Sequence, residues 1–200
     1  MPVWEKTTGL VEPLGAAPPS RPDLPDGPAS TAVKEFVATH MAGRQVIAVN
    51  ISASKPQKRW PTARWEELLS GVAGPVVVLA APEHTTDRHE LESKLSEAIP
   101  SPVTANLFDV GHIVRHAAVL LTTDTAAVHV ASCFNTPVLV LYRSARDLAK
   151  FPPLSESSRV LLARDEDLRS ISVAEVREAL EVFHGGSVEN SDSSEAVISR

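Results

Sequence analysis

Two patterns alternate along the middle of the chain. Short, unbroken apolar runs give way to longer stretches in which apolar positions return every three or four residues. The runs are Val46 to Ile51, Pro75 to Ala81, 118–123, 137–142 and Arg159 to Ala163, with a shorter one near Val103. An unbroken apolar run suits a strand covered on both faces. The intervening stretches predict helices from Thr62 to Leu69, about Thr86 to Glu97, about Asp109 to His116, and over 125–134. Thr62 and Ser172 read as N-caps, the latter of a last helix running to about Phe183. Ahead of this body, Ala29 to Met41 reads as a short amphipathic helix with Val33, Phe36 and Val37 on one face, Ser30 as its cap and Gly43 as its stop. Strands alternating with helices predict an α/β fold, a Rossmann-like parallel sheet with helices on both faces.

The ends read differently. Pro13, Pro18, Pro19, Pro22 and Pro25 keep residues 1–27 out of a central sheet, because proline fixes φ and lacks a donor. Residues 1–44 therefore read as a proline-rich linker plus a leading helix. Residues 45–184 form the regular domain, and 185–200, rich in Gly, Ser, Asn and Glu, read as a disordered tail.

Composition narrows the function classes. The net charge of −6 leaves no basic footprint for nucleic acid. No run approaches the roughly 18 apolar residues a transmembrane helix needs, and no basic-then-apolar secretory signal opens the chain. A single cysteine, Cys133, excludes an internal disulfide framework and a cysteine-rich zinc site, and fits a reducing compartment. The expected location is cytoplasmic, with peripheral attachment to the inner membrane as a variant. With five Phe, three Trp and one Tyr, the core must be mostly aliphatic.

Two strand ends carry candidate chemistry. After 118–123 comes Asp124-Thr125-Ala126-Ala127-Val128-His129, a carboxylate and a hydroxyl where strand hands over to helix. In open α/β sheets ligands bind outside the carboxyl ends of the strands, and a helix start suits an anion. The plainer reading makes Asp124 or Thr125 an N-cap and His129 a structural helix residue. After the first strand comes Ser52 to Pro61, with Ser52, Ser54, Lys58 and Arg59. Its small hydroxyl residues allow close approach to phosphate, and its cations suit phosphate charge. The plainer reading is a solvated basic loop. Neither a phosphate-binding P-loop nor a dinucleotide glycine fingerprint is present. His112 and His116 have metal-ligand spacing without a third ligand nearby, and Asp165-Glu166-Asp167 reads as a solvated acidic turn. Trp60 and Trp65 are expected to pack loop and helix against the sheet, with Trp60 alternatively flanking a cleft.

Lys58-Arg59-Trp60-Pro61 followed by Trp65-Glu66-Glu67-Leu68 resembles the K-x-W-P … F/W-x-x-L segment of the heptosyltransferases, glycosyltransferase family 9. Asp124 to His129, then Ala131 and Thr136-Pro137-Val138, resembles that family's D-T-G-x-x-H-x-x-A … T-P-V signature. The two motifs occur in the family's order, across roughly 45–142. The resemblance implies the GT-B fold, two Rossmann-like domains facing across a cleft, of which 45–184 matches only the carboxyl-terminal, donor-binding half. It implies a nucleotide-sugar ligand, often ADP-heptose, and sugar transfer in lipopolysaccharide or related glycan synthesis without a metal or other cofactor. The family's catalytic base would lie in its amino-terminal half, so no catalytic residue is assigned within this chain. A separately encoded acceptor domain is one possible partner. By motif, Lys58 would contact the donor phosphates, with Ser52 and Ser54 in the loop beside the diphosphate. Asp124 would touch the sugar, Thr125, Ala126 and Ala127 would offer backbone N–H groups, and His129 would brace the site. Two departures stand out: the family's glycine is Ala126 here, and its Gly-Pro-Thr after strand 137–142 is Arg143-Ser144-Ala145. They keep open a degenerate, non-catalytic nucleotide-sugar binding or interaction module. A third class is another enzyme with a similar half-domain, such as a sugar-nucleotide epimerase.

Overall fold

A computed structural model describes residues 22–24 and 27–184. The expectations for most of the proline-rich linker and for the 185–200 tail lie outside the described residues. Helix α1 (Thr31–His40) leads into β1 (Ile47–Asn50), α2 (Thr62–Leu69), β2 (Val76–Leu79), α3 (Thr85–Lys94) and α4 (Leu107–Arg115). Then come β3 (Val119–Thr123), α5 (Ala126–Phe134), β4 (Val138–Tyr142), α6 (Ala145–Lys150), β5 (Ser158–Leu162) and α7 (Val173–His184). All five strands are parallel, in the order β2-β1-β3-β4-β5. No helix among the described residues is long and apolar enough to cross a membrane.

The alternation of side chains sorts the core into two layers. Ile47, Val49, Val76 and Val78 face α2, α3 and α7, where Trp65, Leu68, Leu91, Val176 and Leu180 are buried. Ala48, Val77, Leu120 and Val138 face α1, α4 and α5, meeting Val33, Ile113, Val114 and Val128. Because both faces are covered, the strands read as continuous apolar runs instead of alternating ones. Trp60 and Trp65 meet edge to face, with centroids 4.8 Å apart and both side chains buried. Trp60 Nε1 donates to Ile171 O at 3.1 Å, so Trp60 is a packing residue that ties the β1 loop to the segment before α7.

The structure corrects several sequence expectations. No strand forms at Val103, which is exposed; residues 97–99 run beside β2 instead, where Val76 N donates to Glu97 O and Ile99 N to Val76 O. That pairing covers the edge of β2 and ends α3 at Lys94, short of the expected Glu97. Pro61, not Thr62, is the N-cap of α2, and no side chain caps it; Pro61 O accepts from Arg64 N and Trp65 N. The short helix α6 was not anticipated. Ser172 does cap α7: its Oγ accepts from Glu175 N while Glu175 Oε2 accepts from Ser172 N, a reciprocal capping box.

Helix α4 begins two residues before Asp109, capped by Asn106, whose Oδ1 accepts from the N–H groups of Phe108 and Asp109. Asp109 is fully buried and accepts from Ser30 N at 2.7 Å and Ala105 N at 2.8 Å. Burial opposes its ionisation, but these N–H donors outweigh burial and hold its carboxyl below the usual range. One carboxylate thus pins the start of α1 to the loop entering α4. Asp109→Asn should cost about 1–3 kcal/mol in urea denaturation at neutral pH, because one N–H then faces an NH2 group. A depressed folded-state value stabilises fully above the unfolded value near ~3.9 and is lost as pH falls through the folded one. The wild type should therefore lose this increment only in acid, while the variant's acid sensitivity should be flatter. An equal acid response in both would exclude this role.

Candidate functional site

The strand order reverses at β1: the chain leaves it toward β2 on one side, and β3 lies on the other. Loops from the carboxyl ends of these strands diverge there and leave a crevice, the usual ligand position in open parallel sheets. A cavity of about 440 Å³ occupies this point. One wall is Asn50, Ser52 and Ser54 from the end of β1 with Thr125, Ala126 and Ala127 from the start of α5. The second wall runs from Leu79 to Glu83 after β2, and the third from Thr104 to Leu107 before α4.

Local structure explains how each side chain reaches this place. A 3-10 turn at Pro56–Lys58 shapes the β1 loop, with Lys58 N donating to Lys55 O and Arg59 N to Pro56 O. Ser52 Oγ accepts from Ala81 N at 2.7 Å, which ties the β1 loop to the β2 loop. Thr125 is the N-cap of α5: its Oγ1 accepts from Ala127 N at 3.3 Å, and its carbonyl accepts from Val128 N. The capping role therefore falls to Thr125, not Asp124. The N–H of Ala126, in the first turn of α5, lies where an intrahelical partner is lacking. Ala126 itself is exposed on the cavity wall.

Lys58, Asp124 and His129 form a second group that does not line the cavity. Lys58 Nζ is ion-paired with Asp124 Oδ2, and the Asp124 carboxylate is almost wholly buried. The buried carboxylate is thus neutralised across the gap between the β1 loop and the end of β3. His129 is partly buried and lies edge-on to Phe151, with centroids 6.0 Å apart. Burial holds its ring below the usual histidine range, and Asp124 pulls it only partly back. Burial, followed by Asp124 and Asp147, pushes the nearby Tyr142 hydroxyl well above its ordinary range; that hydroxyl donates to Phe151 O.

The other candidates sit apart from the cavity. Arg59 is engaged by His84 Nε2 on the β2 side. Since Arg59 can only donate, Nε2 accepts, and His84 Nδ1 carries the proton toward Asp87 at 3.3 Å. Arg143 faces a separate cleft that also contains Gln57 and Arg169, where its Nη2 donates to Glu166 at 3.0 Å. In the acidic turn, Asp167 is bound by Arg169, so Glu166 and Asp167 are both ion-paired. His112 and His116 have ring centroids 4.8 Å apart, but His116 Nδ1 is bonded to His112 O. No group of three or more metal-ligating side chains occurs among the described residues.

Sequence reasoning missed Asn50, Glu83 and the 104–107 wall. Asn50 ends an apolar strand and Glu83 follows one shortly after, so the rule that ligands meet the carboxyl ends of strands would have found both. The third wall has no such signal, because it reaches the cavity from between two helices.

A sequence model of glycosyltransferase family 9 (heptosyltransferase) matches residues 3–178. Among solved structures, E. coli ADP-heptose LPS heptosyltransferase II has a TM-score of 0.64 at 22% identity, over 80% of this chain and 53% of that one. E. coli heptosyltransferase WaaC with ADP gives 0.65 at 18% identity, over 90% and 56%. A family 9 glycosyl transferase from Veillonella parvula gives 0.63 at 20% identity, over 76% and 49%. The chain therefore spans about half the length of these structures. It is also 22% identical over 125 residues to the photosynthetic NDH subunit of subcomplex B 1 of Arabidopsis thaliana, covering 61% of this chain and 27% of that protein. With the family match extending over most of its length and its parallel α/β sheet shared with GT-B heptosyltransferase structures, the chain belongs to glycosyltransferase family 9.

Proposed function

We propose that this chain is the donor-binding half of a heptosyltransferase-like glycosyltransferase, taking a nucleoside-diphosphate sugar of the ADP-heptose type for lipopolysaccharide or related glycan synthesis. The observation that carries this reading is the cavity at the strand-order reversal, with the Ala126 N–H at its wall and the Lys58–Asp124 pair beside it. Its partly apolar second and third walls suit a nucleoside. Glu83, just beyond β2, stands where related sheets use an acidic side chain to accept from ribose hydroxyls. The diphosphate then lies against the start of α5, where the positive end of the helix favours it. When the glycosidic bond breaks, negative charge develops on the departing diphosphate. The helix start opposes that charge as it stands, and Lys58 does so once it turns from Asp124 to the diphosphate. On this reading no metal is required. The acceptor and its base come from an amino-terminal domain, held on the same polypeptide or encoded separately, because transfer needs both in line with the donor.

A second reading, a nucleotide-sugar binding module without transfer activity, draws on two observations. The Arabidopsis relative is named as a subunit of a complex. In addition, Arg143, where the family has Gly-Pro-Thr, is bound to Glu166 and so adds no free charge to the cavity. Acceptor-dependent sugar transfer with an amino-terminal half supplied separates the two readings.

ADP should bind the wild type in calorimetry, and Lys58→Ala should weaken it by about 1–3 kcal/mol, the loss of a charged hydrogen bond. Absence of binding by any nucleoside diphosphate at millimolar concentration would refute the donor-site reading.

Asp124→Asn removes the carboxylate that now holds Lys58. ADP should bind more tightly to this variant, by on the order of 1 kcal/mol, because a like charge near the diphosphate is gone and Lys58 is released. An ADP-sugar should gain less, if Asp124 also accepts from a sugar hydroxyl. Equal gains for both ligands would remove the sugar contact from the reading.

A further inference from the structure

Asn50 closes β1 at the point where the strand order reverses. Its Nδ2 lies 3.1 Å from each of three oxygens: Ser52 O, Thr122 Oγ1 and Thr125 Oγ1. Ser52 O has no proton to give, so the amide atom facing it must be nitrogen, and the orientation of the amide follows. Two N–H groups serve three acceptors, so one of them is shared. The hydroxyl protons can then be counted. Thr122 Oγ1 donates to Thr123 O at 3.0 Å. The 3.1 Å contact between the Thr122 and Thr125 hydroxyls therefore uses the Thr125 proton. Thr125 Oγ1 in turn accepts from Asn50 and from Ala127 N. Its only proton points inward, away from the cavity that Thr125 lines.

We infer that Asn50 is a positioning residue for the diphosphate end of the ligand, tying the β1 loop to the start of α5 through Ser52 O and Thr125 Oγ1. The inference rests on the nucleoside-diphosphate reading above. An anion at this wall is met by the backbone N–H of Ala126, on a helix start whose distance from the Ser52 loop is set by one amide. An aspartate at this position has the same shape but cannot donate, and it would set a negative charge behind the anion. A leucine has similar bulk and no donor at all. Either change unties the two segments that face phosphate, while Ser52 Oγ still holds the β1 loop to the wall after β2.

The test compares adenosine, AMP and ADP binding to the wild type, Asn50→Leu and Asn50→Asp by calorimetry, with thermal unfolding of each protein. In the wild type, affinity should rise from adenosine to ADP. In the variants that preference for ADP should fall at least tenfold, while adenosine binding stays within about twofold. Thr125→Val should produce a similar loss, and the double variant Asn50→Leu/Thr125→Val should lose no more than either alone, since both act through one hydroxyl. Should Asn50→Leu fail to fold, the isosteric Asn50→Asp carries the test. An unchanged preference for ADP overturns the inference. So does parallel weakening of adenosine and ADP with a lowered Tm, which marks a residue that only holds the strands together. If the wild type binds adenosine no worse than ADP, or binds neither, the diphosphate reading itself fails, and Asn50 loses this role with it.

Discussion

β1 has a parallel neighbour on each side, and the chain reaches those neighbours over opposite faces of the sheet. A right-handed crossover fixes which face each connecting helix occupies. Moving from β1 to β2 places α2 on one face; reaching β3 and β4 in the opposite direction places α4 and α5 on the other. The loops at the carboxyl end must therefore separate at β1. The cavity, the exposed first turn of α5 and the approach of the Ser52 loop all follow from that separation. Nothing in the two core layers needs to be shaped for a ligand; the aliphatic packing only has to hold the strands in register.

The cations that the sequence offered for a phosphate are engaged within the protein. Lys58 is held by Asp124, Arg59 by His84, and Arg143 by Glu166. A buried carboxylate such as Asp124 is costly unless a cation answers it, so Lys58 has a structural partner whether or not an anion is bound. An anionic ligand of the kind proposed would have to compete with a carboxylate for Lys58, and the attraction left uncontested at the cavity wall would be the helix start itself. This arrangement gives the backbone at Ala126, and the groups that orient it, more weight than a count of cations in the loop would suggest.

Family membership accounts for the sheet, the helix placement and the order of the motifs. It does not account for Ala126 in place of glycine or for Arg143. In the structure these departures have different meanings. Ala126 stands exposed on the cavity wall, in the first turn of α5. Arg143 is turned toward another cleft and paired there, so it does not replace what the family's loop supplies.

Much of the architecture was legible in residue order because it rests on local and periodic effects. Apolar runs marked β1 to β5 within a residue or two, Ser30 and Ser172 marked helix starts, and the hand-over at Asp124–Thr125 located the passage from β3 to α5. Where the reading failed, distant partners decided. Residues 97–99, not 103, line the edge of β2, because Val76 offered backbone groups there. Trp60 packs as the sequence led one to expect, but the partner that satisfies its buried N–H, Ile171 O, lies over a hundred residues away. Asn50 carried no signal of its own in the sequence, and only the fold brings Thr122 and Thr125 within reach of its amide. Periodicity reports which face of an element is apolar and where it begins and ends. Which donor meets which acceptor across seventy residues depends on strand order and register, and these become definite only when the sheet has formed.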